Sequence, residues 1–232
     1  SRIVCVAEAV RQSLLAVVYD PARLVTIYKG HDLAWYDGTV REDLRELGIP
    51  AGAFTVCCVA NSRPRKGADV LIAAAGLLPP GLPVHILLIG QDMDREPMLG
   101  LAAASPYRDN LHLIGFRDNV LGIVAACNVA VLPAVKREGL PKTVIEAMVH
   151  GVTPVVTTTG GNTELVEDGV SGLVVPPGDA SALAAAILRL YRDPGETRRM
   201  GDAARRRIGE QFRLEDSVTA HLRLFEVLPG ET

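Results

Sequence analysis

The sequence predicts an α/β protein built on a doubly wound parallel sheet. Three observations lead there. From Phe54 onward, short apolar runs alternate with helix-like segments, the order that generates parallel strands joined by right-handed crossovers. Phe54–Ala60 is apolar throughout except for Thr55, as a strand covered on both faces must be. Several of the strand-like runs close on a glycine, as at Gly90 and Gly115, where the chain has to turn out of the sheet.

Taken in order, Ile3–Val6 reads as a strand, 8–18 as a helix, and Leu24–Tyr28 as a short strand closed by Gly30. His31 and Asp32 fall in the next loop. Thr39–Gly48 is charged and reads as a helix stopped by Gly48, with Pro50 beyond. The main alternation then runs through strand 54–60, helix 68–78, strand 84–89, helix 97–104, strand 111–114, helix 120–127 and strand 129–133. After a central helix come strand 154–158, helix 162–167 and strand 173–175. Asp179 caps a helix carrying Leu183, Ile187, Leu190 and Tyr191 at helical spacing, stopped before Pro194. Helices over 195–212 and 214–228 close the chain, the last with an apolar stripe of Val218, Leu222, Phe225 and Leu228. Ligands of such sheets sit beyond the carboxyl ends of the strands.

The chain has 232 residues, 48% hydrophobic and 22% charged, enough for a substantial core. With a net charge of −3 nothing points to a nucleic-acid surface, and the basic run Arg205-Arg206-Arg207 lies among Glu196, Asp202 and Glu210 as a solvated helix face. The four cysteines, Cys5, Cys57, Cys58 and Cys127, lack zinc or disulfide spacing and read as buried thiols of a cytoplasmic protein. No leader pattern stands at the start. The longest uncharged stretch, 70–91, is broken by Pro79, Pro80 and Pro83. Entry on an apolar strand at Ile3 reads as a piece of a longer protein.

The stretch that organises the rest is Glu138-Gly-Leu-Pro-Lys-Thr-Val-Ile-Glu146, running to Gly151. Pro141 suits a helix entry, and Val144, Ile145, Ala147, Met148 and Val149 make the helix apolar almost all round, so it should be buried. Gly151 suits its C-terminal turn. The free amides of a helix start attract phosphate. Glu138 would repel that phosphate unless it points at something else, such as sugar hydroxyls. Neither G-x-G-x-x-G nor G-x-x-x-x-G-K-[ST] is present, so a dinucleotide or ATP fold loses support.

The run E-G-L-P-K-T-V-I-E-A-M, followed by G-V-T-P-V-V-T-T-T-G-G-N-T-E-L-V-E-D-G-V-S-G-L-V-V-P-P-G-D, resembles the C-terminal half of family 4 retaining glycosyltransferases, which have the two-domain GT-B fold. Glu138 and Glu146 match the two ends of that family's E-x7-E motif. The resemblance implies a Rossmann-like nucleotide-sugar-binding domain over 51–212. It also implies a remnant of the N-terminal acceptor domain over 1–20, a linker region over 21–50, and a C-terminal helix, 213–232, packing back toward the missing domain.

Asn61-Ser-Arg-Pro-Arg65-Lys66-Gly67 resembles the family's segment whose Arg and Lys hold the donor diphosphate. Lys66 and Gly67 match directly. The family's arginine falls on Asn61, and Arg65 or Arg63 is the substitute. The resemblance makes Glu138, Lys66 and Arg65 the catalytic set. It adds Gly139, Leu140, Pro141, Lys142, Thr143 and Glu146 as donor contacts, Glu146 toward the ribose. Phe116 and Arg117 would meet the base, although Phe116 reads equally as core. Gly160-Gly161-Asn162-Thr163-Glu164 resembles a segment near the sugar and phosphate, and its glycines also suit a plain strand-to-helix turn.

The implied reaction is transfer of a sugar from a UDP-, GDP- or ADP-sugar to a glycan or lipid-linked acceptor, with no cofactor and no metal, in polysaccharide or lipopolysaccharide assembly. Peripheral association of the full-length protein with the inner face of the membrane is compatible with it. The alternatives are a nucleotide-sugar-binding module without transfer activity, or a GT-B nucleotide-sugar epimerase.

Overall fold

The computed structural model describes residues 2–17 and 20–226. At the start, β1 (Ile3–Cys5) pairs in parallel with β2 (Leu24–Thr26) across helix α1 (Glu8–Leu15). The main sheet holds β3 (Phe54–Val59), β4 (Val84–Ile89), β5 (Leu111–Gly115), β6 (Val129–Leu132), β7 (Thr153–Thr157) and β8 (Leu173–Val175). All its pairings are parallel, in the order β5-β4-β3-β6-β7-β8. The chain therefore builds outward from β3 to β5, returns to lay β6 on the other side of β3, and builds outward again. The crevice beyond the carboxyl ends of β3 and β6 is the topological switch point, where ligands of such sheets bind.

Both faces of the sheet are covered. Val56 and Cys58 of β3 face one core with Leu71, Ile72, Ile86 and Leu88, while Cys57 faces another with Leu87, Ile89, Ile123 and Ala147. The first core is closed by α2 (Ala68–Ala75), α3 (Met98–Ala104) and α7 (Ala180–Arg192). The other side is covered by α4 (Val120–Ala126), α5 (Lys142–Val149) and α8 (Pro194–Gln211). α5 is buried from Val144 to Val149, so truncating Ile145 or Met148 to alanine would cost about 2–5 kcal/mol. Gly151 stands at φ +70° just beyond it, the left-handed turn a helix end favours. Asp179 and Asp193 cap α7 and α8, their carboxylates accepting from the amides of Ala182 and Glu196 at 2.9 and 2.8 Å. The last elements are α6 (Asn162–Leu165) and α9 (Leu214–Glu226).

The helix expected over 39–48 does not form. A single 3-10 turn, Leu44–Leu47, is all that appears, because Asp43 caps it from within, accepting from the amide of Arg45 at 3.0 Å. Upstream, the amide of Glu42 donates to the carbonyl of Gly122 at 3.1 Å and holds the chain extended along α4. The basic run is also not uniformly solvated. Arg207 is tucked under α6, donating to the carbonyls of Leu165 (2.7 Å) and Glu164 (3.0 Å). It thereby satisfies the free end of that short helix. His31, read as a loop histidine, is buried, with its Nδ1 3.2 Å from the Tyr36 hydroxyl. Val18 and the end of the predicted last helix, 227–228, lie outside the described residues. No helix among the described residues is long and apolar enough to cross a membrane.

Candidate functional site

The turn after β3 is stitched to the connection after β6. The amide of Val135 donates to the carbonyl of Arg65 at 3.0 Å. Gly67, at φ +72°, lies so close to Pro133 that a Cβ there would stand 1.9 Å from the Pro133 carbonyl oxygen. This approach carries Lys66 and Arg65 across the switch point to Glu138. Lys66 Nζ donates to Glu138 Oε1 at 2.8 Å and Arg65 Nη1 to the same oxygen at 3.1 Å. The Glu138 and Lys66 side chains are 8% and 16% exposed, Arg65 41%. Two cations thus converge on one carboxylate oxygen, while Glu138 Oε2 has no partner among the described residues. Glu138 points at the two cations rather than at open space, which removes the repulsion toward an anion at the neighbouring helix start. Arg63 is exposed and joins neither group.

That helix start belongs to α5. Pro141, in an extended conformation, precedes it rather than opening it, and supplies no side-chain cap. The amides of Lys142 and Thr143 have no partner among the described residues and face the edge where Glu138 lies. One turn on, Glu146 is buried and its carboxylate pairs with Lys142 Nζ at 3.0 Å. The hydrogen bond and charge of Glu146 raise the Lys142 ammonium above its usual range. Tyr36 packs nearby, its hydroxyl pushed up by burial and by the charge of Glu146. Nothing in the spacing of the sequence pointed to Tyr36.

The Gly160–Gly161 turn after β7 packs directly on the Glu138 backbone. Gly160 stands at φ +54°, and a Cβ would lie 1.9 Å from the carbonyl oxygen of Glu138. The amide of Gly161 donates to that same oxygen at 3.2 Å. Thr157 reaches across from β7, its hydroxyl donating to the carbonyl of Ala134 at 2.6 Å. Buried Asn162 ties the turn together, donating to the Thr157 carbonyl and the Thr159 hydroxyl, each at 3.1 Å. These glycines therefore do more than turn the chain: they let the turn after β7 lie against the backbone of Glu138 and Gly139. Glu164 has a separate task. Its two oxygens accept from the amides of Glu8 and Ala9, each at 2.8 Å. It caps α1, whose own N-cap residue, Ala7, cannot.

Phe116 and Arg117 lie at the same edge but two strands out, after β5, and no hydrogen bond or ion pair links them to Lys66, Glu138 or Glu146. Phe116 is 67% exposed, which rules out the core reading. Arg117 turns back on the chain, donating to the Phe116 carbonyl at 3.1 Å.

The sequence profile described as "Glycosyl transferases group 1" matches residues 39–207. The chain belongs to that family. Among curated proteins, the chain is similar to the N-acetyl-alpha-D-glucosaminyl L-malate synthase of Bacillus anthracis, 25% identical over 221 residues, covering 93% of this chain and 58% of that protein. It is also similar to the lipopolysaccharide core biosynthesis glycosyltransferase LpsE of Rhizobium meliloti (strain 1021), 28% identical over 190 residues and covering 82% and 55%. The chain thus spans a little over half the length of these relatives. Among solved structures it superposes on Anabaena HepE in complex with UDP and glucose with a TM-score of 0.90 at 23% identity, covering 98% of this chain and 64% of that one. The fold of this group 1 chain is that of the C-terminal half of the GT-B class.

Proposed function

We propose that this chain is the donor-binding half of a retaining glycosyltransferase that uses a nucleotide-diphosphate sugar. The observation that carries the reading is the convergence of Lys66 and Arg65 on Glu138 at the switch point, beside the unpartnered amides at the start of α5. Without a ligand one positive charge is left in excess there, and the pairs rearrange when an anion arrives. A diphosphate entering the crevice takes Lys66, Arg65 and the amides of Lys142 and Thr143, which stabilise the negative charge that grows as the leaving group departs. Glu138, relieved of its cations, turns its free oxygen toward the hydroxyls of the transferred sugar and favours positive charge at the anomeric carbon. Glu146 takes the ribose hydroxyls, exchanging Lys142 for them. Phe116 offers an exposed ring on which a base can stack. Retention of configuration and metal independence follow the family resemblance. The acceptor, a glycan or a lipid-linked sugar, is met by the domain that precedes this one, with residues 51–212 as the donor unit. Names of relatives in lipopolysaccharide assembly support that acceptor class.

Calorimetry with UDP, GDP and ADP tests the reading. One nucleotide should bind, and Lys66→Ala and Glu146→Ala should each weaken it roughly tenfold or more, the range for losing a charge-assisted hydrogen bond. Affinity unchanged in both variants would refute the site.

A further inference from the structure

At the opposite edge of the sheet, where β6 and β7 begin, lies a cavity of about 420 Å³ that takes no part in the reaction above. Its wall includes Arg41, Arg198 and Arg205, with Asn128, His150 and the turn at Gly151–Val152. Arg41 enters on the extended segment docked along α4. Arg198 and Arg205 project from one face of α8, two turns apart. α8 is held there by close backbone approach: a Cβ on Gly201 would stand 2.0 Å from the Gly151 carbonyl oxygen. The cationic wall therefore has fixed backbone on both sides.

On α7 and α8 other arginines find acids: Arg189 pairs with Glu196 at 2.6 Å and Arg207 with Glu167 at 3.3 Å. Arg41, Arg198 and Arg205 pair with none among the described residues. Asp202, the one acid in the wall, lies between Arg198 and Arg205 along the helix yet forms no ion pair with either. The wall keeps an excess of two positive charges in a chain whose net charge is −3. Asn128 adds an unspent donor. Its Oδ1 accepts from the Thr55 amide (2.7 Å) and hydroxyl (3.0 Å), leaving Nδ2 without a partner among the described residues. Guanidinium forks and an amide N–H₂ around one concavity match a tetrahedral oxyanion.

We propose that this cavity is a second anion site, separate from the donor site and specific for a phosphate group. The phosphate is carried either by a soluble phosphate compound or by the head group of an anionic lipid. α5 runs from the donor edge to this one, so the two sites lie at opposite ends of a single helix.

The test is titration of the isotopically labelled 232-residue chain with inorganic pyrophosphate, followed by amide NMR. Pyrophosphate also suits the donor edge, and position separates the two. Shifts at Lys142 and Thr143 report the donor crevice, and shifts at Gly151, Val152 and Arg198 report the cavity. The Arg41→Ser/Arg205→Ser double variant should weaken the second set roughly tenfold or more and leave the first unchanged. Both side chains are exposed, so the fold is retained, and Arg192→Ser, on the exposed end of α7, is the control for lost charge. An absence of shifts in the second set, or shifts that survive the double variant, would overturn the site. Co-sedimentation with phosphatidylglycerol vesicles, but not with phosphatidylcholine, that the double variant abolishes identifies a lipid head group. Pyrophosphate binding without such sedimentation identifies a soluble ligand.

Discussion

Replacing Glu138 by glutamine makes the charge balance at the switch point visible. Glu138 Oε1 accepts from Lys66 at 2.8 Å and Arg65 at 3.1 Å, so in the empty site both cations are already engaged. An incoming diphosphate has to displace them. The side-chain amide introduced by Glu138→Gln occupies the same space but binds each cation as a neutral acceptor. Lys66 and Arg65 stay charged, so each keeps a hydrogen bond to a charged partner, and what is lost is the attraction of the second charge, about 1 kcal/mol per cation in water at ion-pair distance. The Lys66 side chain is 16% exposed and counts nearly in full, while Arg65, at 41%, is screened by solvent and counts for less. The sum, about 1–1.5 kcal/mol, predicts that a bare nucleoside diphosphate binds Glu138→Gln roughly five- to tenfold more tightly than wild type. On the proposed reading the same variant should lose transfer in the full-length protein, because the negative charge facing the anomeric carbon is gone. Calorimetry with the nucleotide that wild type binds is the assay, and a thermal melt should show a fall in stability of about 1 kcal/mol. Affinity falling tenfold would refute the reasoning: it would mean that Glu138 orients the cations for phosphate and does not compete with it.

Gly160→Ala places a Cβ 1.9 Å from the Glu138 carbonyl oxygen at φ +54°, whereas Gly169→Ala, at φ +73° with open space around it, bears only the conformational cost of about 1–2 kcal/mol. The first should therefore lower both the melting temperature and nucleotide affinity, the second only the melting temperature, and equal affinities in the two variants would contradict the packing argument. Phe116→Ala removes the exposed ring and should weaken a nucleoside diphosphate by about 1–3 kcal/mol while leaving inorganic pyrophosphate at the donor edge unaffected, as read by parallel titrations. His85 Nδ1 and His112 Nε2 lie 2.9 Å apart on β4 and β5, and burial lowers both imidazoles, with His112 lowered further by its neighbour. The unfolded chain then binds more protons than the folded one, so this stability is complete above the ordinary histidine value of about 6.5 and is lost as pH falls from there through the lowered folded values. His31, lowered by burial and by Lys29 and Lys142, acts in the same sense. The urea midpoint should drop between pH 7.5 and 5.5, and the drop should shrink in His85→Gln/His112→Gln; an equal drop in that variant would place the effect elsewhere.

The sheet was legible because parallel strands covered on both faces leave continuous apolar runs. Val84–Ile89 spans the same residues as read and as folded, and Phe54–Val59 loses only Ala60. The segment 39–48 misled because its charges suit a helix, while what decides it is a contact outside the segment, the Glu42 amide on Gly122. The site divides along the same line. Lys66, Arg65, Glu138 and Glu146 could be named as candidates because their segments resemble those of the family and stand beside strand ends and a helix entry. That Lys66 and Arg65 should grip Glu138, more than seventy residues on, is a product of strand order and cannot be read from either motif alone. Glycines show the limit most sharply. Gly67, Gly160 and Gly169 all adopt positive φ. Only the first two lie against a carbonyl, of Pro133 and Glu138, and both carbonyls belong to the connection between β6 and α5. That connection bears Glu138 on a loop, where backbone is ordinarily mobile. The two close approaches, one from each neighbouring βα turn, hold it with the precision a charge-balancing site requires. The positions that most constrain the chemistry therefore carry no side chain at all.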